Sequence, residues 1–302
     1  MDVMILSIGE ILFDIFPSYR RPGGAPFNVA FHLRSLGFDA AFASRVGTDE
    51  LGSEMLAYLR SVGFPADLVQ RDDVHPTGQV SVELDRSGNA TFSILPDVAY
   101  DYLELSKGVE KTLASARLVY FGSLAQRTAH GRDFVRALVA KKPPEALCFY
   151  DVNLRPGCET PDIVLTSLEH ADIVKMNDDE LGRIKTMHGF AGDEQAFAEY
   201  LMATYGLRVL ALTRGARGSE LYVSGERVRA AENGDIAVVD TVGAGDGYSA
   251  MLIAGLQSGW DAERLIRSCA AFARSICAIE GAIPVYDNFY SPFRELFGGT
   301  VP

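Results

Sequence analysis

The chain has 302 residues, 48% of them apolar and 23% charged, and 28 basic against 40 acidic residues give it a net charge of -12. That balance suits a globular protein with a sizeable core and speaks against nucleic acid or a membrane surface as partner, since no Lys/Arg-rich run interrupts it. Cys148, Cys158, Cys269 and Cys277 form no CxxC pair, the five histidines show no zinc-site spacing, and no uncharged apolar run reaches membrane-spanning length, so a cytoplasmic protein is expected.

Read from the start, MDVMILSIGE lacks a basic leader region and reads as a first strand, Val3–Ile8, rather than a signal peptide. Ile11–Phe16 is a short strand candidate, followed by a helix over Phe27–Leu36, a strand over Ala41–Val46 and a helix over Gly52–Ser61. Gln79–Leu84 and Ala90–Ile94 then alternate apolar and polar residues around Asp85-Arg86-Ser87-Gly88-Asn89, which is a hairpin signal. Alternation implies one solvated face, so this hairpin is expected to stand off the main sheet as a lid, with Ile11–Phe16 added to it. Further on, strands are expected at Leu118–Phe121, Leu147–Asp151, Ile173–Lys175, Val209–Thr213, Ser219–Val223 and Ile236–Val239. Helices at Thr128–Ala140 and Asp193–Tyr205 fall among them, the latter with Phe197, Leu201 and Tyr205 on one face. Near-continuous apolar strands alternating with helices predict an α/β fold with a mostly parallel sheet covered on both faces. Length alone suggests about two domains. With no linker, low-complexity stretch or repeat, one domain over residues 1–302 is expected, its lid drawn from about 11–20 and 75–100.

Two stretches carry chemistry. In Asp240-Thr241-Val242-Gly243-Ala244-Gly245-Asp246-Gly247, glycines surround one carboxylate at a helix entrance. Unpaired amides and the helix dipole suit such a turn to an anion, with Asp246 as a base beside it; equally, Asp246 could simply cap its own helix. In Gly23-Gly24-Ala25-Pro26-Phe27-Asn28, the glycines let a ligand approach the backbone, and Asn28 offers donors and an acceptor to a polyhydroxylated ligand. The other reading there is a glycine turn with proline at a helix start. Standard nucleotide and hydrolase motifs fail: there is no Gly-Lys dipeptide, Tyr248 stands where a third glycine of G-x-G-x-x-G would be, and no Gly-x-Ser-x-Gly occurs.

Together, Gly-Gly-Ala-Pro-x-Asn-x-Ala near the start and Asp-Thr-Val-Gly-Ala-Gly-Asp near the end resemble the paired motifs of the ribokinase-like (pfkB) carbohydrate kinases. Pieces from Gly9-Glu10 to Gly281-Ala282 fall into place between and around them. The resemblance implies a three-layer α/β/α sandwich with a small β lid, and ATP-dependent phosphorylation of a sugar hydroxyl. It implies Asp246 as catalytic base, with the amides of Gly243, Ala244 and Gly245 as an anion hole. Asp14, Gly24 and Asn28 match sugar-binding positions, and Phe92 on the lid would cover the sugar. Asn177-Asp178-Asp179-Glu180 resembles the motif that holds magnesium, largely through water, from Glu180; the same residues also read as a capping box. Thr213-Arg214-Gly215-Ala216-Arg217-Gly218 resembles the nucleotide loop, where Arg214 would meet phosphate, and also reads as a hairpin turn. Some relatives use potassium near Asp240 and Val242. Met251 and Ala270 depart from the family pattern, the latter leaving adenine contacts open.

Phe121-Gly122-Ser123-Leu124, Asp151-Val152-Asn153-Leu154-Arg155 and Gly9-Glu10-Ile11-Leu12-Phe13-Asp14 are most similar to fructokinases, which implies D-fructose as substrate. A 2-keto-3-deoxygluconate kinase is the runner-up, since Arg155 could bind a carboxylate, and ribokinase ranks lower. A non-catalytic sugar sensor on the same fold is the reading from another class. An exposed lid sheet could also pair with a second copy to give a homodimer.

Overall fold

The computed structural model describes residues 4–84, 90–230, 237–284 and 288–298, with the side chains of 82–84 and 90–92 outside that description. The chain opens with β1 (Met4–Ile8) and runs through Gly9-Glu10-Ile11 directly into β2 (Leu12–Ile15) and β3 (Arg20–Gly23). There follow α1 (Ala25–Ser35), β4 (Ala40–Gly47), α2 (Glu50–Ser61), β5 (Val69–Asp72), and the pair β6 (Gly78–Leu84) and β7 (Ala90–Ile94). Then come α3 (Lys107–Leu113), β8 (Ala116–Gly122), α4 (Ala129–Lys141), β9 (Leu147–Asp151), α5 (Pro161–His170) and β10 (Ile173–Asn177). α6 (Asp178–Met187), α7 (Glu194–Tyr205) and the strands β11 (Val209–Thr213), β12 (Ser219–Val223) and β13 (Glu226–Ala230) lead to three last helices. These are α8 (Ala244–Gln257), α9 (Ala262–Cys277) and α10 (Ser291–Glu295).

Nine strands form one sheet in the order β13-β12-β11-β10-β9-β8-β1-β4-β5. It is parallel except where β12 runs against both neighbours. The central strands are apolar on both faces because each face has its own core. In β8, Val119 and Phe121 belong to the cluster beneath α3–α7, whereas Leu118 and Tyr120 belong to the cluster beneath α1, α8 and α9. All four are fully buried, which is why this strand reads as a continuous apolar run rather than an alternating one. α8 is buried at every residue from Gly247 to Gly255, wedged between the sheet, α1 and α9. A helix apolar all round fits only such a place.

The lid is a separate four-stranded sheet, β3-β2-β6-β7. As the alternation predicts, β6 and β7 pair antiparallel, and β2 joins β6 in parallel; the turn at 85–89 lies outside the described residues. β3 was not legible: Arg20-Arg21-Pro22-Gly23 is a poor strand by composition, and its proline fits because the strand is at an edge. One expectation is corrected. Of the strand expected at 236–239, Ile236 lies outside the described residues, and Ala237–Val239 form no strand. Val238 and Val239 are about 60% exposed, and the Val239 amide donates instead to the Cys277 carbonyl at the end of α9. Apolar β-branched residues gave the signal, but among the described residues no strand pairs with them.

Candidate active site

The glycine-rich turn sits at the N-terminus of α8, opposite the C-terminal ends of β9, β10 and β11, where ligands bind in open α/β sheets. Gly243 takes φ +79°, and a Cβ there would lie 2.5 Å from the Cα of Ala282, so only glycine satisfies both the backbone and the space. No side chain caps α8. Asp246 does not turn back on its own helix; its Oδ2 accepts a 2.7 Å hydrogen bond from Nδ2 of Asn28 on α1. That speaks against the reading of Asp246 as the cap of its own helix. The protein packed around it disfavours charge and raises its pKa, against which the Asn28 bond and the Lys175 and Arg155 charges act.

On the lid side, Gly24 has φ +121°, and a Cβ would come within 2.5 Å of the Glu10 carbonyl oxygen. This close passage sets the link after β1 against the start of α1, and the Arg155 charge acts on Glu10, Asp14 and Asp246 alike. A Cβ on Gly23 would stand 3.0 Å from Oδ2 of Asp14. Burial pushes Asp14 up to about 6, with Arg155 and Arg21 pulling it down. Glu10, 4% exposed, is pushed up to about 7, again by burial. Two buried acceptors there, Oε2 of Glu10 and Oδ1 of Asn28, have no hydrogen-bond partner among the described residues. Arg155 is exposed and makes no ion pair with a carboxylate among the described residues; its Nη1 donates to the Leu154 carbonyl. Phe92 lies on β7 opposite Val82, and its side chain is outside the described set.

At the start of α6, the capping-box reading of Asn177-Asp178-Asp179-Glu180 is borne out. The capping box is formed, Asn177 Oδ1 accepting from the Glu180 amide and Glu180 Oε2 from the Asn177 amide, each at 2.8 Å. Oε1 of Glu180 meanwhile accepts from the Leu154 amide at 2.8 Å, tying α6 to the loop that carries Arg155. Each carboxylate oxygen of Glu180 thus holds one N–H and keeps a further lone pair. Among the described residues no group of three or more His, Cys, Asp or Glu side chains is set to hold a metal. Thr213 ends β11 beside Asn177. The Thr213–Gly218 stretch is a hairpin link in which the Arg214 amide donates to Gly218, with positive φ at Gly215 and Gly218. Arg214 lines an open cavity of about 590 Å³ with Arg217, Ser219, Glu220 and Arg227. Its Nη1 donates to Glu194 of α7 at 2.7 Å and its Nε lies 3.3 Å from Glu220. Glu220 follows Ser219, whose hydroxyl takes the Tyr248 hydrogen bond from α8, so strand alternation turns Glu220 and Arg214 toward α7.

The sequence reading missed one group. Lys175, at a strand position that reads as core, is 7% exposed, and its Nζ would stand 2.9 Å from a Cβ on Gly245. It donates to Oδ1 and Oδ2 of fully buried Asp151 at 3.1 and 3.2 Å. The signal was present in Asp151 and Lys175, two ionisable residues in apolar strand runs, which buried strands carry only in pairs.

The fold and this cleft define the ribokinase-like class, a mostly parallel nine-stranded sandwich with a separate lid sheet. A model of the "pfkB family carbohydrate kinase" matches residues 19–287, and the chain belongs to that family. Fructokinase-2 of Zea mays is 29% identical over 314 residues, covering 93% of this chain and 90% of that protein. Among solved structures, a fructokinase with bound ATP from Xylella fastidiosa superposes with a TM-score of 0.83 at 21% identity, covering 98% of this chain and 100% of its own. A sugar kinase of Pyrococcus horikoshii in complex with ATP gives 0.74 at 26% identity over 92% and 93% of the two chains.

Proposed function

We propose that this sugar kinase transfers the γ-phosphoryl group of ATP to the 6-hydroxyl of D-fructose. The observation that carries the reading is Asp246, a carboxylate at the anion-binding end of α8, oriented by Asn28 toward a cleft with unpaired acceptors. Asp246 takes the hydroxyl proton as the sugar oxygen forms its bond to phosphorus, and the bond to the bridging oxygen of ADP breaks. The amides of Gly243, Ala244 and Gly245 and the α8 dipole meet the charge on the transferred group. Asp14, Gly24, Asn28 and Arg155 line the sugar side, with Phe92 above it on the lid. The two orphaned acceptors suit hydroxyl donors, which a neutral polyol supplies in number.

ATP as co-substrate is supported by the relatives solved with it. Asn177 and the 213–218 backbone (Thr213, Gly215, Gly218) would take the nucleotide, and exposed Val238, Val239 and Val242 offer apolar surface for a base. Magnesium, when bound with ATP, would neutralise phosphate charge, and Glu180 would hold its water shell. A lid edge, β3 or β7, is where a second copy would add.

A second reading has one observation in its favour. Arg155, without a carboxylate partner among the described residues, would pair with the carboxylate of 2-keto-3-deoxygluconate. Sugar-dependent ADP release, measured across fructose and the keto acid, tests both readings.

A further inference from the structure

Beneath the α8 turn lies a polar cluster that the roles above do not use. Asp151 ends β9, and its register partner on β10 is Lys175. Besides the two Lys175 contacts, Oδ2 of Asp151 accepts from Ser249 of α8 at 2.8 Å and from the Tyr120 hydroxyl of β8 at 3.0 Å. Three other elements thus converge on this fully buried carboxylate of β9. Of the three N–H bonds of the Lys175 ammonium, two go to Asp151, and no third partner is present among the described residues. The nitrogen that carries it lies against Gly245, the last of the three anion-turn residues, where any Cβ would come within 2.9 Å of it. A buried ion pair needs no such arrangement for folding; hydrophobic replacements of the same volume often serve stability as well or better.

We propose that Lys175 is a catalytic residue that meets the transferred phosphoryl group through Gly245's side of the turn, and that Asp151 is the positioning residue that holds it there. The inference rests on the kinase reading. Asp151 fixes the ammonium beneath the turn before ligand arrives, and Ser249 ties the same carboxylate to the second turn of α8, so lysine and amides share one register. As the bond to the sugar oxygen forms and the bond to ADP breaks, the ammonium stays protonated and gives only charge and one hydrogen bond. Because Asp151 is hydrogen-bonded by Tyr120 and Ser249 as well, it remains satisfied when the lysine shares its charge with phosphate.

The test separates turnover from stability. Asp151→Asn should lower kcat by about 10²-fold, the scale of losing one preorganised charge-stabilising donor, while the sugar KM changes less than about threefold. It should also melt earlier, because a buried ammonium is left without its counter-charge. Asp151→Asn/Lys175→Met removes both charges and should recover the melting temperature but not turnover. Lys175→Met alone should match the double variant in kcat. If Asp151→Asn does not fold, the double variant carries the test alone. A double variant whose kcat returns to within about threefold of wild type along with its stability would overturn the proposal, as would a folded Asp151→Asn with wild-type kcat. Wild-type protein that releases no sugar-dependent ADP would sink the kinase reading and this inference with it. Turnover in the wild type beside unaffected variants sinks the inference alone.

Discussion

Replacing Asp246 with asparagine separates what the site needs from what the fold needs. Asparagine has the same shape, and its carbonyl can still accept the 2.7 Å hydrogen bond from Asn28 Nδ2, so the α1–α8 contact survives. What disappears is the proton acceptor. Loss of a general base lowers turnover by roughly 10²–10⁴-fold, or about 3–5 kcal/mol of barrier. Stability should move the other way. Burial raises the Asp246 pKa above its unfolded value, so the folded state prefers the protonated carboxyl. The stability this gives is present at pH below the unfolded pKa and is lost as pH rises through the folded one. At neutral pH the ionised group is therefore a burden that asparagine removes, and Asp246→Asn should melt at or above the wild-type temperature. The assay is ADP release with saturating sugar and ATP, run beside a thermal melt at pH 7. A folded Asp246→Asn protein with near-wild-type turnover would refute the base assignment. A marked fall in melting temperature would refute the account of its burial.

Glu10 follows the same sign, its pKa rising from 4.5 to about 7 on folding. Glu10→Gln should stabilise the protein at pH 8 by up to about 3 kcal/mol, the gain fading toward pH 4.5; a melting difference that does not change with pH would contradict this. Glu180→Gln keeps one acceptor oxygen for the two amides of Asn177 and Leu154, and should raise the magnesium concentration needed for half-maximal rate. An unchanged magnesium titration would leave Glu180 as a helix cap and loop tether only.

What could be read from sequence follows where physical signals are local. β9, β11 and β12 fall at their expected bounds because each is a short apolar run closed by a polar or glycine signal. The lid hairpin was legible from alternation, but β3 was not, since Arg-Arg-Pro-Gly becomes a strand only through its partner β2. The stretch before the α8 turn misled in the opposite sense: Val238 and Val239 have strand propensity but join no strand among the described residues. In the site, Asp246 and Asn28 stand out because glycine turns mark where backbone and ligand approach closely. Their direct hydrogen bond joins positions far apart in the chain and is a tertiary fact. The partners of Arg214, Glu194 and Glu220, lie on other elements and were not legible from its loop motif. Lys175 shows the converse, a charge hidden in a core strand whose purpose appears only once Gly245 lies over it.

The central claim is that Asp246, Asn28 and the cleft beside them phosphorylate a neutral ketohexose. Its most direct measurement is coupled ADP release with fructose, ribose, adenosine and 2-keto-3-deoxygluconate at equal concentration. Fructose should give the highest kcat/KM, with the phosphate on the 6-hydroxyl of the product. Highest kcat/KM for the keto acid, lost on Arg155→Leu, would contradict it.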